Sequence, residues 1–338
     1  TVFSIDGSVV LIGLGNGEIQ ISDKKKKLTK IVDSSITDDT ITCLKFHPTK
    51  QDYFYSGNIM GKISLNDLQG ETKIEVIEPN NEINTLDVGP LGSMLITAGK
   101  DACIRMYDQE TMQVINTYES AGPEPNGRTA GHTMRLYCVK IHPSECSLFL
   151  SGGWDGRVNI WDIRTPSGLI RTIHGPFVNG DSIDIRDRKM LVGSNRDINN
   201  LQLFDLGSGL LMQNIVPSNR KASLDGDELY TAKFFSGDPS DDLIVCGGAG
   251  YGAFKVISLK EVMIVAAFEE NAPVITSCCF EDEICFGSKS GNCYIVKYST
   301  GGIEESVDGK SNGSEEKDGN VLDISDGDSK ITVENENL

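Results

Sequence analysis

Through most of the first 300 residues, apolar and polar side chains alternate in short runs separated by turn formers. Ile41 to Phe46 and Leu136 to Ile141 follow the same pattern, and each run is closed by a His-Pro pair, His47-Pro48 and His142-Pro143. Ile83 to Pro90 repeats the shape. A period of two places every second side chain on one face, as a half-buried strand requires. The stretch from Leu148 to Asp162 then reads as an apolar strand, a tight turn at Asp155-Gly156 and a second alternating strand, which is a hairpin signal. No stretch carries apolar residues at helical spacing over several turns.

This three-strand unit recurs. Its third strand ends near Asp23, Asp67, Asp108, Asp162, Asp205, Ser258 and Tyr298, at spacings of 44, 41, 54, 43, 53 and 40 residues. Four-stranded propeller blades repeat about every 40–45 residues. The two long intervals are taken up by insertions at Ser120 to Thr129 and around Pro217 to Gly226. The pattern therefore predicts an all-β, seven-bladed propeller of four-stranded antiparallel blades over residues 1–300. Residues 301–338 hold eleven acidic and three basic residues and no aromatic one. Such a segment buries too little apolar area to offset its ordering entropy, so an acidic, disordered, low-complexity tail is expected. The chain opens on an inner strand, Val2 to Ile5, which leaves the outer strand of the last blade to come from Gly302 to Val307, from Lys330 to Glu334, or from residues preceding Thr1.

Gly131-His132 followed by Trp161-Asp162 resembles the signature of the WD-repeat family, and the likeness extends over residues 1 to about 300. The resemblance implies a blade locked by four side chains, here His132, Ser151, Asp155 and Trp161. A carboxylate would orient the imidazole, whose other nitrogen meets a hydroxyl that accepts the indole N–H. That role is structural, because a hydroxyl tied to an indole is no nucleophile. The other blades depart from the set. The third keeps Thr97, Asp101 and Tyr107 without a histidine, the second has Met60 and Asn66 at the aspartate and tryptophan positions, and the first has Asn16 and Ser22.

Charge narrows the partners. Forty-nine acidic residues against 31 basic ones give a net charge of −18, part of it in the body as well as in the tail. Such a surface repels phosphate backbones and anionic membranes, which leaves proteins, basic segments first, as partners. No apolar run approaches the roughly 18 residues of a membrane span, and Thr1 to Gly7 do not read as a signal peptide. Nine cysteines form no CxxC pair, and Cys138, Cys246, Cys278, Cys285 and Cys293 sit in apolar strand-like runs. They read as reduced core thiols of a cytoplasmic or nuclear protein.

Catalytic signals are weak throughout. Gly247 to Gly252 could suggest a phosphate loop, but a strand rather than a helix follows it, so a blade hairpin is the reading. His47, His132, His142 and His174 show no metal-pair spacing, and no cofactor, metal or hydrolase motif is present. Lys24 to Lys27 reads as a solvated turn rather than a nuclear-localisation patch. The best candidates follow from where a propeller exposes its turns. Lys100, Arg135, Tyr137, Trp154, Glu82, Asn84 and Tyr230 fall at the narrow top face, and Trp, Tyr and Arg dominate binding hot spots. The expected function is a non-enzymatic scaffold that binds a peptide or domain there, as a monomer within a larger assembly. The alternative comes from Trp161-Asp162-Ile163-Arg164, which resembles the box by which substrate receptors dock on the cullin-4 ubiquitin-ligase adaptor. That resemblance implies a docking set of Asp155, Asp162 and Arg164.

Overall fold

The computed structural model describes residues 1–24, 28–33, 39–92, 94–120, 131–219, 228–238, 240–250, 254–299, 321–323 and 330–332. Seven antiparallel sheets follow one another along the chain, at residues 2–33, 41–77, 83–118, 136–174, 183–214, 229–268 and 274–299. Each is a meander whose strands run from inner to outer in chain order. The third strands end at Asp23, Asp67, Tyr107, Asp162, Asp205, Ser258 and Ser299, in the rhythm read from the sequence. Among the described residues the one helical turn is a short 3-10 segment, Pro90–Gly92. Among the described residues no helix is long and apolar enough to cross a membrane.

The inward alternation predicted for each strand is spent between blades. The cluster of Met94, Ile96, Ile104 and Met106 from blade three packs on Leu136, Ile141, Phe149 and Trp161 from blade four. Trp161 lies flat on Phe149 (ring centroids 5.7 Å, 6° apart) and also meets Tyr118 of blade three at 4.9 Å. The ring closes the same way, with Phe3, Val10 and Ile12 of blade one against Cys285, Cys293 and Ile295 of blade seven. Lys24 and Glu283 form an ion pair beside that seam. Lys25 to Lys27 lie outside the described residues, as do residues 121–130 and 220–227, which hold most of both expected insertions.

Of the expected tail, residues 301–320, 324–329 and 333–338 lie outside the described residues, and with them Gly302 to Val307. The two described segments are strands. Lys330–Thr332 pairs with Lys297 to Ser299 and supplies blade seven with its fourth strand, from the second of the two segments the sequence offered. Val321–Asp323 pairs with Ala266 to Phe268, so blade six carries five strands instead of the expected four.

Candidate protein-binding face

One backbone device repeats at the top of five blades. The residue after the second strand donates its N–H to the carbonyl of the residue ahead of the inner strand. The pairs are Ile59 to Thr40 (3.2 Å), Lys100 to Glu82 (3.1 Å), Trp154 to Arg135 (3.1 Å), Ala249 to Glu228 (2.8 Å) and Lys289 to Pro273 (2.8 Å). In blades three, four and six the approach leaves no room for a side chain. A Cβ on Gly99, Gly153 or Gly248 would fall 1.8, 2.3 or 1.8 Å from the carbonyl oxygen of Glu82, Arg135 or Glu228. The second strands therefore end in Gly where the sequence shows it, and the residues beside each contact are brought to one rim.

The expected top-face residues form a connected arc. Lys100 is ion-paired with Glu82, and Arg135 reaches the same carboxylate at 3.5 Å. The Arg135 guanidinium lies 5.1 Å from the Trp154 ring centroid, and Tyr137 packs on that ring at 5.3 Å. The Trp154 indole N–H donates to Asn179 Oδ1 at 2.8 Å. Gly180, next along, passes against the Tyr230 carbonyl, and the Tyr230 hydroxyl donates to Glu228 at 2.8 Å. Burial and that carboxylate push the Tyr230 phenol up to about 12. Asn84 is committed elsewhere, donating to the Leu136 carbonyl at 2.9 Å between blades three and four. Trp154 is 38% exposed, on a turn, and is fixed by these contacts. Phe177 lies beside that turn, 3.2 Å from where a Cβ of Gly156 would stand (φ +68°), and is exposed too. Nothing in the spacing of the sequence singled it out.

Beneath the arc sits the lock. His132 Nδ1 is 2.8 Å from Asp155 Oδ2, His132 Nε2 is 2.7 Å from Ser151 Oγ, and the Trp161 indole N–H donates to that oxygen at 2.7 Å. The donors and acceptors balance if Nδ1–H donates to the carboxylate and the Ser151 hydroxyl donates to Nε2. Burial alone would raise the Asp155 carboxyl, but His132 and the Thr133 amide outweigh it and hold it below the usual carboxylate range. Blade two keeps a reduced version, with the Asn66 amide donating to Ser56 Oγ at 2.9 Å. Blade three uses Glu78, which the sequence reading missed. It sits in the loop that carries His132 in the next blade and accepts from Thr97 (2.5 Å), Tyr107 (2.8 Å), Arg105 (2.7 Å) and Asn81 (2.7 Å).

The adaptor-docking set is corrected by this geometry. The Asp155 side chain is 1% exposed and engaged by His132, so no partner can reach it. It also lies at the top turn, whereas Asp162 ends the same hairpin at the bottom, opposite Leu148. Arg164 clamps Asp162 through two nitrogens (2.9 and 2.7 Å) and is itself 68% exposed. The Gly247 loop joins two strands, Leu243–Gly248 and Phe254–Ser258, as a hairpin, although residues 251–253 lie outside the described residues. His47 and His142 accept amide N–H bonds at their His-Pro turns, from Thr49 and Lys50 and from Ser144 and Glu145. Burial pushes the Cys43 and Cys138 thiols up to about 12.

A further set lines the channel. The same register position of successive inner strands holds Lys45, Asp87, Lys140, Asp184 and Lys233 in blades two to six. Lys45 meets Asp87 at 3.2 Å, Lys140 meets Asp184 at 3.0 Å, and Lys233 meets Asp181 at 2.7 Å. The channel cavity of about 470 Å³ is thus neutral at its waist, within a strongly acidic protein. Among the described residues no cluster of His, Cys, Asp and Glu could hold a metal ion.

The family model described as "WD domain, G-beta repeat" matches residues 72–108 and 124–162. The first match runs from the outer strand of blade two to the third strand of blade three, and the second ends on the third strand of blade four. The chain is 29% identical over 153 residues to a guanine nucleotide-binding protein subunit beta of Zea mays, covering 45% of this chain and 38% of that protein. It is 23% identical over 275 residues to a WD repeat-containing protein 55 homolog of Drosophila persimilis, covering 79% of this chain and 50% of that one. These matches span half or less of the relatives' own lengths. A chain in a crystal structure of the mitotic checkpoint complex superposes with a TM-score of 0.68 at 13% identity, over 85% of this chain and 83% of that chain, and so shares the fold. With two repeats matched, a lock of the expected four side chains and seven blades closed in a ring, the chain carries WD repeats in blades three and four and resembles the WD-repeat β-propeller proteins in fold.

Proposed function

We propose that this propeller is a non-enzymatic scaffold whose top face, around Trp154, docks a peptide or domain of another protein. WD-repeat proteins generally serve as interaction platforms, and the matched maize relative is by name a subunit. The observation that carries the reading is the fixed, exposed Trp154, held by Asn179 and packed against Arg135 and Tyr137. A pre-ordered aromatic with an arginine beside it loses little entropy on binding and has hot-spot composition. The overall charge favours partners with basic segments. Affinity capture with the intact chain against a Trp154→Ala, Arg135→Glu form tests the surface. Loss of specific partners is expected, and identical partner sets would sink it.

The ligase-receptor reading retains one observation, the exposed and pinned Arg164 on the bottom face. Co-purification of a cullin-4 adaptor, abolished by Arg164→Ala, is the outcome it requires.

A further inference from the structure

Three cysteines stand in a row across blade seven. Cys278, Cys285 and Cys293 come from its first, second and third strands, Val274–Phe280, Glu283–Ser288 and Cys293–Ser299. Cys285 lies directly opposite Cys278 and is hydrogen-bonded to it, and its sulfur is 3.5 Å from that of Cys293. The row packs on Phe3, Val10 and Ile12 of blade one, at the seam where the ring closes.

Access and geometry separate Cys278 from its neighbours. Cys43, Cys278 and Cys279 line the channel cavity, whereas Cys293 is buried in the core shared with blade one. Burial pushes the Cys43 and Cys279 thiols up. Burial acts on Cys278 as well, but the Cys285 thiol, Thr1 and the Phe3 amide outweigh it and hold Cys278 below the usual thiol range. Because the thiolate is the nucleophile, Cys278 is the reactive one of the three in the cavity. It is also the one with a thiol across its strand pair, since Cys279 faces Ile284 and Cys43 faces Gly57. Directly opposed residues have Cα atoms about 4.5–5.5 Å apart, inside the roughly 4.4–6.8 Å that a disulfide spans. Cys293 is opposite Gly287, two residues along from Cys285, and such diagonal neighbours stand about 7–8 Å apart. The row is therefore set for one bridge, Cys278 to Cys285.

We propose that Cys278 is an oxidation site for peroxides that enter the channel, with Cys285 as its resolving partner. The Cys278 sulfur attacks one peroxide oxygen, the O–O bond breaks, and a sulfenic acid forms as the other oxygen leaves as water. Hydrogen bonds to Cys278 and Cys293 hold the Cys285 thiol protonated, and the hold from Cys278 ends once its sulfur is a neutral sulfenic acid. The Cys285 sulfur then attacks that of Cys278, and its proton leaves with the hydroxyl as a second water. Two thiols are oxidised to one disulfide, and one hydrogen peroxide is reduced to two waters. The bridge ties the first two strands of blade seven beside the seam with blade one.

The reduced full chain, treated with equimolar hydrogen peroxide and then alkylated, tests this by peptide mass mapping. Cleavage after Glu281 and Glu283 separates Cys279 from Cys285. The peptides holding Cys278 and Cys285 should be joined through sulfur and released by dithiothreitol. Cys278→Ser should abolish the bridge, and Cys279→Ser should leave it. A readout that needs no variant is the parent chain oxidised with dimedone present, which traps sulfenic acids. There Cys278 should be labelled at least about tenfold faster than Cys43 or Cys279. A bridge to Cys279 or Cys293, label spread evenly over the cavity thiols, or an unoxidised Cys278 overturns the proposal. So does the same bridge at equal yield in the urea-unfolded chain, because the fold would then not have selected the pair.

Discussion

Lys140 of blade four stands 3.0 Å from Asp184 of blade five, and the other oxygen of that carboxylate accepts the Phe234 amide of blade six at 2.9 Å. Lys45, Asp87 and the Ile141 amide repeat the arrangement over blades two to four, at 3.2 and 2.7 Å. Each aspartate thus ties three consecutive blades at the channel. Asp184→Ala strands both an ammonium and an amide, which should cost on the order of 3 kcal/mol. Replacing the pair together, Lys140→Met with Asp184→Leu, should recover much of that loss. Urea unfolding of the four-member cycle checks this, and additive losses would show that the two residues do not act on each other.

The same ring fixes a pH dependence. Burial would raise the Asp184 carboxyl, but Lys140 and Lys233 outweigh it and hold it below the usual range, and Lys233, Lys45 and Lys140 do the same for Asp181. A carboxylate with a depressed folded pKa contributes fully above its unfolded value, near 3.9, and loses that contribution as pH falls through the lower folded value. Lys140 is shifted the other way. Burial opposes its charge, yet Asp184 and Asp87 raise it, so its contribution is complete below about 10.4 and fades above that. The denaturation midpoint should therefore be level through neutral pH and fall below about pH 4 and above about pH 10. Asp184→Asn should flatten the acid limb, and an unchanged limb would remove the ring as its cause.

Within blade four, Ser151 is the hinge of the lock. Its oxygen receives the buried Trp161 N–H, and its hydroxyl faces His132. Ser151→Ala leaves both groups without a partner in a site water does not reach, a loss of about 1–3 kcal/mol. Trp161→Phe removes the indole donor and should make the serine substitution less costly. Thermal melts of the two single variants and the double resolve this, and strictly additive shifts would mean the contact carries no stability.

Strand rhythm made the seven blades legible, because a period of two and a turn every few residues depend on local chemistry alone. The lock was legible through the resemblance of Gly131-His132 and Trp161-Asp162 to the WD-repeat signature, and not from strand rhythm. Glu78 was not. A glutamate in a loop is usually solvated, and only the fold reveals that Thr97, Tyr107 and Arg105 converge on it. The channel ring was written plainly as Lys45, Asp87, Lys140, Asp184 and Lys233, but alternating charge in five separate strands means little until a circle places them side by side. Asp155 shows the opposite failure. One motif suggested a docking role for a residue whose burial another motif already required.

Trp154 and Trp161 are the chain's two tryptophans, which makes the proposed binding face optically separable from the core. Trp161 is buried and stacked on Phe149, whereas Trp154 lies open on its turn with Arg135 over one side. In a Trp161→Phe variant the remaining emission should be red-shifted and readily quenched by acrylamide, and adding Arg135→Ala should increase the quenching. Exposed cation–π contacts are worth about 0.5–1 kcal/mol, so Trp154→Ala should shift the unfolding free energy by no more than about 1 kcal/mol. Truncating a binding anchor costs about 2 kcal/mol or more, so the same substitution should weaken partner binding by at least about thirtyfold. A partner that docks on this face must move the Trp154 emission to shorter wavelength and shield it from acrylamide. Binding that leaves that emission untouched would place the partner elsewhere on the propeller.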